Sequence, residues 1–97
     1  MRIIKVGKMK DGTDIQIEDW SNVYPNEPIA STISAYPVAK RNSKQAFGPK
    51  EGQIFRLEMK FSSKEETEEA FDLLVNGKKR LDEFYFNFYY KEYIKFL

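Results

Sequence analysis

Cysteine and histidine are both absent from this 97-residue chain. Without cysteine there can be no disulfide, no thiolate nucleophile and no zinc–thiolate site. Without histidine the commonest general base and metal ligand is missing, and with it every Ser-His or Cys-His arrangement. The chain is therefore read as non-catalytic, with no cofactor and no metal site expected. Long apolar runs are missing too: none reaches the roughly 20 residues of a membrane span. The opening stretch "MRIIKVGKMKDG" is broken by lysines and does not read as a signal peptide. No repeat, low-complexity tract or linker divides the chain. These gaps point to one cytoplasmic domain with no membrane role.

Excess charge is missing as well. The net charge is +1, so no global field draws in nucleic acid or an anionic surface. Basic and acidic blocks nevertheless alternate along the chain, a pattern that pairs up in a fold or gathers into local patches. A domain of this size buries roughly 60–65% of its unfolded surface, enough for one core without staples.

Aromatic residues are plentiful: eight Phe, six Tyr and one Trp, concentrated in "EFYFNFYYKEYIKFL" at 83–97. The two possible periods compete there. A strand would align Phe84, Phe86, Phe88 and Tyr90, while a helix would place Glu83, Asn87, Lys91 and Lys95 on one solvated stripe. The four-residue spacing and the acidic start favour a helix at 82–95. Its rings are read mainly as core, with Tyr85, Tyr89, Tyr90 and Tyr93 as a candidate interface for a protein partner or for self-association. Tyrosine has an apolar ring and a wet hydroxyl, which suits a half-buried contact.

Ahead of that tail the pattern is α+β. "KMKDGTDIQI" places Asp11-Gly12 between β-prone runs, so strands at 2–10 and 13–20 form a hairpin with a two-residue turn. In that register Ile17 faces Val6, Asp19 faces Ile4 and Lys5 faces Glu18. A two-proline loop at 21–30 leads to a third strand at 31–38, which Pro37 ends or confines to an edge. The alternation of "QIFRLEMKF" gives a fourth strand at 53–61. Ser63 with Glu66 makes a capping box for a helix at 64–76, with Thr67, Ala70, Phe71 and Leu74 inward and Gly77 closing it. The expected fold is a mainly antiparallel four-stranded sheet with two C-terminal helices on one face. Its core is Ile4, Val6, Ile15, Ile17, Ile33, Phe55, Leu57, Met59, Phe61, Phe71, Leu74 and Phe88.

Three other groupings bear on function. "DGTDIQIEDW" lacks the ligand spacing of a calcium loop. "GPKEG" lacks the glycine spacing and the Lys-Ser/Thr pair of a phosphate loop. The basic 40–50 loop, with Lys40, Arg41, Lys44 and Lys50 around Phe47, joins Lys78, Lys79 and Arg80 as a candidate anion or nucleic-acid patch if the fold brings the two together. The leading expectation is a small protein-interaction or accessory protein. A weak nucleic-acid-binding module using the 40–50 loop is the alternative.

Overall fold

A computed structural model describes residues 1–21 and 31–97. β1 (Arg2–Lys8), β2 (Asp14–Asp19), β3 (Ser31–Tyr36) and β4 (Leu57–Phe61) form one antiparallel sheet in chain order. The helix α1 (Lys64–Val75) packs across β2, β3 and β4. The chain then closes with two short 3-10 helices, Leu81–Asn87 and Lys91–Phe96. The expected loop at 21–30 lies, apart from Ser21, outside the described residues.

The N-terminal hairpin exists, but one step out of the expected register. Lys8 pairs with Asp14, Gly7 with Ile15 and Lys5 with Ile17. The cause lies in the turn. Gly12 has φ 92 and donates its N–H to Met9 O, while Met9 donates to Thr13 O. This is a three-residue loop in which glycine takes the left-handed bulge position, rather than a two-residue turn. Asp11 fixes it by accepting the Thr13 N–H at 2.9 Å. A bulge between Ile3 and Lys5 shifts the pairing again, so Ile3 faces Glu18. Because strand side chains alternate, the one-residue shift at the turn turns Val6 away from α1, while Ile4 is the extra residue of the bulge and has no partner across the ladder. Ile4 and Val6, expected in the core, are therefore 44% and 69% exposed. The expected Lys5–Glu18 pair does not form: Lys5 reaches Asp72 on α1 at 3.4 Å. Gly7 sits under α1, where an added Cβ would lie 2.8 Å from the Phe71 ring.

Rows read across the strands define the two faces. Toward α1 lie the rows Gly7–Ile15–Ala35–Leu57 and Lys5–Ile17–Ile33–Met59. Ala70, Phe71 and Leu74 close over them with Leu81 and Phe88. The remaining expected core residues are buried, except Phe55, which is half-buried against the cluster. Away from α1 lie the rows Val6–Gln16–Ser34–Glu58 and Ile3–Glu18–Thr32–Lys60.

The helix α1 forms where its sequence places it, but only the Ser63 half of the expected capping box is made. Ser63 Oγ accepts the Glu66 N–H, and the Glu66 carboxylate accepts from Ser62 Oγ. At the other end Gly77, at φ 69, donates to Leu74 O and Lys78 to Leu73 O, the paired bonds of a Schellman stop. Strand β3 ends ahead of Pro37, as expected. The strand expected at 53–61 begins only at Leu57, and Ile54 makes an isolated bridge to Val38.

The expected helix at 82–95 is broken. Phe84 (φ −100, ψ 28) interrupts its first segment, and Phe88 is extended. The backbone here serves the edge of β4. Phe88 bridges Met59, Tyr89 donates its N–H to Glu58 O, and Asn87 Nδ2 donates to Lys60 O. A continuous helix would spend those backbone groups internally and leave the edge open.

Candidate functional site

The C-terminal segment is pinned by side chains that insert into the protein: Leu81, Phe88 and Phe96 are buried. Between these pins other rings turn outward. Tyr85, Tyr89 and Tyr90 are about half exposed and Phe86 is 86% exposed. Tyr85 and Phe86 meet edge to face at 5.3 Å, and Tyr89 and Tyr90 do so at 4.5 Å. Tyr90 then touches Tyr93, Tyr93 touches Phe96, and Phe96 touches Phe55, so the surface rings continue into the interior. Lysines lie over the exposed faces. Lys60 Nζ is 4.0 Å from the Tyr89 centroid, and Lys91 Nζ is 5.4 and 5.6 Å from those of Tyr85 and Phe86. Tyr89 beside it pushes the Tyr90 phenol above its ordinary pKa.

Of the four tyrosines singled out in sequence, three present rings to solvent, and Tyr93 is half-buried and links them to the interior. Phe86 and Lys60 escaped the sequence reading. Phe86 falls on the inward side of the continuous helix expected there, which breaks into short 3-10 segments, and Lys60 arrives from a different strand. No local signal carried either.

The basic 40–50 loop is tied together by its own hydrogen bonds. Ala39 N donates to Gln53 O and Gly52 N to Ala39 O at its neck, and Ser43 N donates to Pro49 O within it. Lys50 Nζ donates to the carbonyls of Ser43 and Gln45 at 3.1 and 3.4 Å, so this lysine braces the loop. A side chain at Gly48 would strike Ser43. Phe47 stands fully exposed near the tip.

The second basic cluster meets the first only in part. Lys40 and Arg80 line one open cleft of about 470 Å³, with Met9, Val38 and Leu81 among its apolar residues and Asp11 and Asp82 among its acids. Arg80 Nε contacts Asp82 at 3.1 Å, and Lys79 Nζ lies 5.3 Å from the Phe84 centroid. Lys78 is exposed.

A third constellation was invisible in the sequence. Glu18, buried on the face away from α1, accepts from Ser34 Oγ at 2.9 Å, Arg56 Nη2 at 3.0 Å and Gln16 Nε2 at 2.6 Å. Arg56 also donates to Ser34 Oγ and lies 3.7 Å from Glu58. Burial works against the Arg56 charge, but Glu18 first and Glu58 next outweigh it, leaving its pKa above the ordinary arginine value. With the carboxylate satisfied and Ser34 fully buried, this cluster is a structural tie. It holds no accessible nucleophile.

The acids of "DGTDIQIEDW" are dispersed by the fold. Asp11 holds the turn, Asp14 pairs with Lys8 at 2.9 Å, Glu18 takes Arg56, and Asp19 faces Arg2 at 3.7 Å. Among the described residues no three acidic or other metal-ligating side chains converge, and no helix is long and apolar enough to cross a membrane. No protein-family model, curated protein or solved structure matches this chain.

Proposed function

We propose that this chain is a small non-catalytic binding module that docks a protein partner through the aromatic edge of Tyr85, Phe86, Tyr89 and Tyr90. The observation that carries the reading is that these rings stay open while the core closes without them. The backbone beneath is fixed by Phe88 on β4 and by buried Leu81 and Phe96. A rigid aromatic surface loses little entropy on contact, and aromatic residues dominate the energetic centres of protein interfaces. Lys60 and Lys91 over the rings add cations that favour a partner with carboxylates around an apolar centre.

The test combines crosslinking in the source cell's lysate with thermal unfolding, using the wild type and a Phe86→Ala/Tyr90→Ala double variant. The expected result is one or a few crosslinked protein partners that vanish in the variant while the unfolding midpoint stays within a few degrees. A partner set unchanged by the double variant excludes this surface. If the variant loses its fold, the rings belong to the structure and the proposal fails. Sedimentation of the purified protein separates a foreign partner from a second copy of the same chain.

A further inference from the structure

We propose that the turn end of the molecule carries a second site, for single-stranded nucleic acid, formed by Phe47, Lys40, Arg41 and Lys44 with Arg80 across the cleft. The near-zero net charge hides a separation. Strand pairing places residues 2, 19, 31 and 61 at one end of the sheet and residues 8, 14, 36 and 57 at the other. The acidic first turns of α1, with Glu65, Glu66, Glu68 and Glu69, follow β4 at the first end. The 40–50 loop and the basic residues after α1 lie at the second. Among the described residues the ion pairs engage Arg2, Lys5, Lys8, Arg56 and Arg80; Lys40, Arg41 and Lys44 take part in none. A phosphate backbone therefore meets cations outside any close ion pair here, Lys40 acting only at longer range on Asp11, without passing the acidic helix.

The ring completes the argument. Phe47 is fully exposed on a loop that Lys50, Ser43 and the neck hydrogen bonds hold in shape, so both of its faces are open to a base. A ring on such a loop reaches an open base of a single strand directly, whereas in a duplex it must first unstack a base step at an energetic cost, so single strands are favoured. A membrane is the weaker match, because a lone ring flanked by Gln45, Ala46 and Gly48 supplies one shallow anchor where stable binding takes two. An acidic peptide suits the cleft less well, since Asp11 and Asp82 line it beside Lys40 and Arg80. A nucleotide offers both charges' complements: phosphate oxygens for the cations and ring or amino N–H groups for the carboxylates.

The test is fluorescence anisotropy of labelled 12-nucleotide DNA and RNA single strands at about 50 and 200 mM salt, with a duplex of equal length beside them. About three phosphate contacts imply roughly twentyfold weaker single-strand binding at the higher salt. Phe47→Ala is expected to weaken binding about tenfold without altering thermal unfolding, since the ring touches nothing the fold needs. Lys40→Glu with Arg41→Glu is expected to abolish it. Phe86→Ala/Tyr90→Ala is expected to leave it unchanged, which separates this site from the aromatic edge. No binding at 50 mM salt overturns the proposal. So does binding indifferent to Phe47→Ala, which would mean non-specific polyanion attraction, or tighter binding of duplex than of single strand. Phe47-dependent sedimentation with phosphatidylserine vesicles, in the absence of oligonucleotide binding, would assign the loop to a lipid surface instead.

Discussion

On the helix side of the sheet Ile15, Ile17, Ile33, Leu57 and Met59 are buried against Ala70, Phe71 and Leu74. On the other side Glu18, Thr32 and Ser34 are buried as deeply, yet their neighbours are hydrogen-bond partners. Trp20 Nε1 donates to Thr32 Oγ1 at 2.9 Å, and Arg56 spans Glu18 and Ser34. Exclusion from water thus has opposite energetics on the two faces. The first gains directly from apolar area removed from water; the second only breaks even if every polar group keeps a partner. Every fully buried side-chain polar atom among the described residues does have one.

The largest effect that comparison predicts is at Leu74, which is completely buried. Leu74→Ala leaves a cavity on the apolar side and is expected to cost about 3–4 kcal/mol in urea unfolding, with the melting temperature falling by more than about 10 °C. The polar side ranks second. Glu18→Ala removes one acceptor shared by three donors and is expected to cost about 2–3 kcal/mol. Arg56→Ala leaves the Glu18 charge buried with neutral donors only, a similar cost. A double-mutant cycle between them is expected to return about 1–2 kcal/mol of coupling. Additive losses would mean that the two residues stabilise the face independently, and the contrast between the faces would lose its basis.

The same contrast marks what the sequence could disclose. Strand β4 and helix α1 were legible because their signals are local: alternating apolar residues from Leu57 to Phe61, Ser63 at the cap and Gly77 at the stop. Their inward residues were legible with them. The hairpin was legible but not its register, because Asp11-Gly12 serves both a two-residue turn and a three-residue loop with bulge. The tail was legible only in part: it is helical, but as two short 3-10 segments broken at Phe88. Its conformation is dictated by the unpaired edge of β4, which Phe88 and Tyr89 occupy, and nothing within 83–97 encodes that need. Three of the four rings of the candidate aromatic surface were readable as tyrosines; Phe86 and Lys60 join it only through that non-local packing. The Glu18–Arg56 tie joins residues 38 apart in sequence, beyond the reach of any pattern.

A smaller effect comes from pH. The backbone N–H of Ser21 holds the Asp19 carboxyl below its ordinary 3.8, with Lys64 and Arg2 adding to the effect against burial. Asp11 is lowered in the same way by the Thr13 N–H. A carboxyl whose folded pKa lies below its unfolded value contributes stability above the unfolded value, and loses it as pH falls through the folded one. Melting temperature is therefore expected to change little between about pH 7 and 5 from these groups, and to fall below about pH 4. Asp19→Asn should shallow that acid limb while costing no more than about 1 kcal/mol at neutral pH, because an amide oxygen still accepts from Ser21. An acid limb of unchanged slope would assign acid unfolding to other carboxylates.

The smallest expected effect is the most discriminating about register. Had the hairpin closed on a two-residue turn, Val6 would lie opposite Ile17 beneath α1, and Val6→Ala would cost on the order of 1–2 kcal/mol. In the observed register Val6 faces Gln16 and is 69% exposed. Its truncation removes little contact, so the change in urea unfolding is expected to stay within about 0.5 kcal/mol. Gly7 supplies the converse reading on the same strand. Under α1, Gly7→Ala drives a methyl toward the Phe71 ring and is expected to cost about 1–2 kcal/mol, although glycine to alanine otherwise favours a strand. If Val6→Ala costs more than Gly7→Ala, the strand sits in the other register, and Ile4 and Val6 return to the core. The reverse order fixes the bulged pairing and leaves β1 an outer strand whose own apolar side chains look away from the helix.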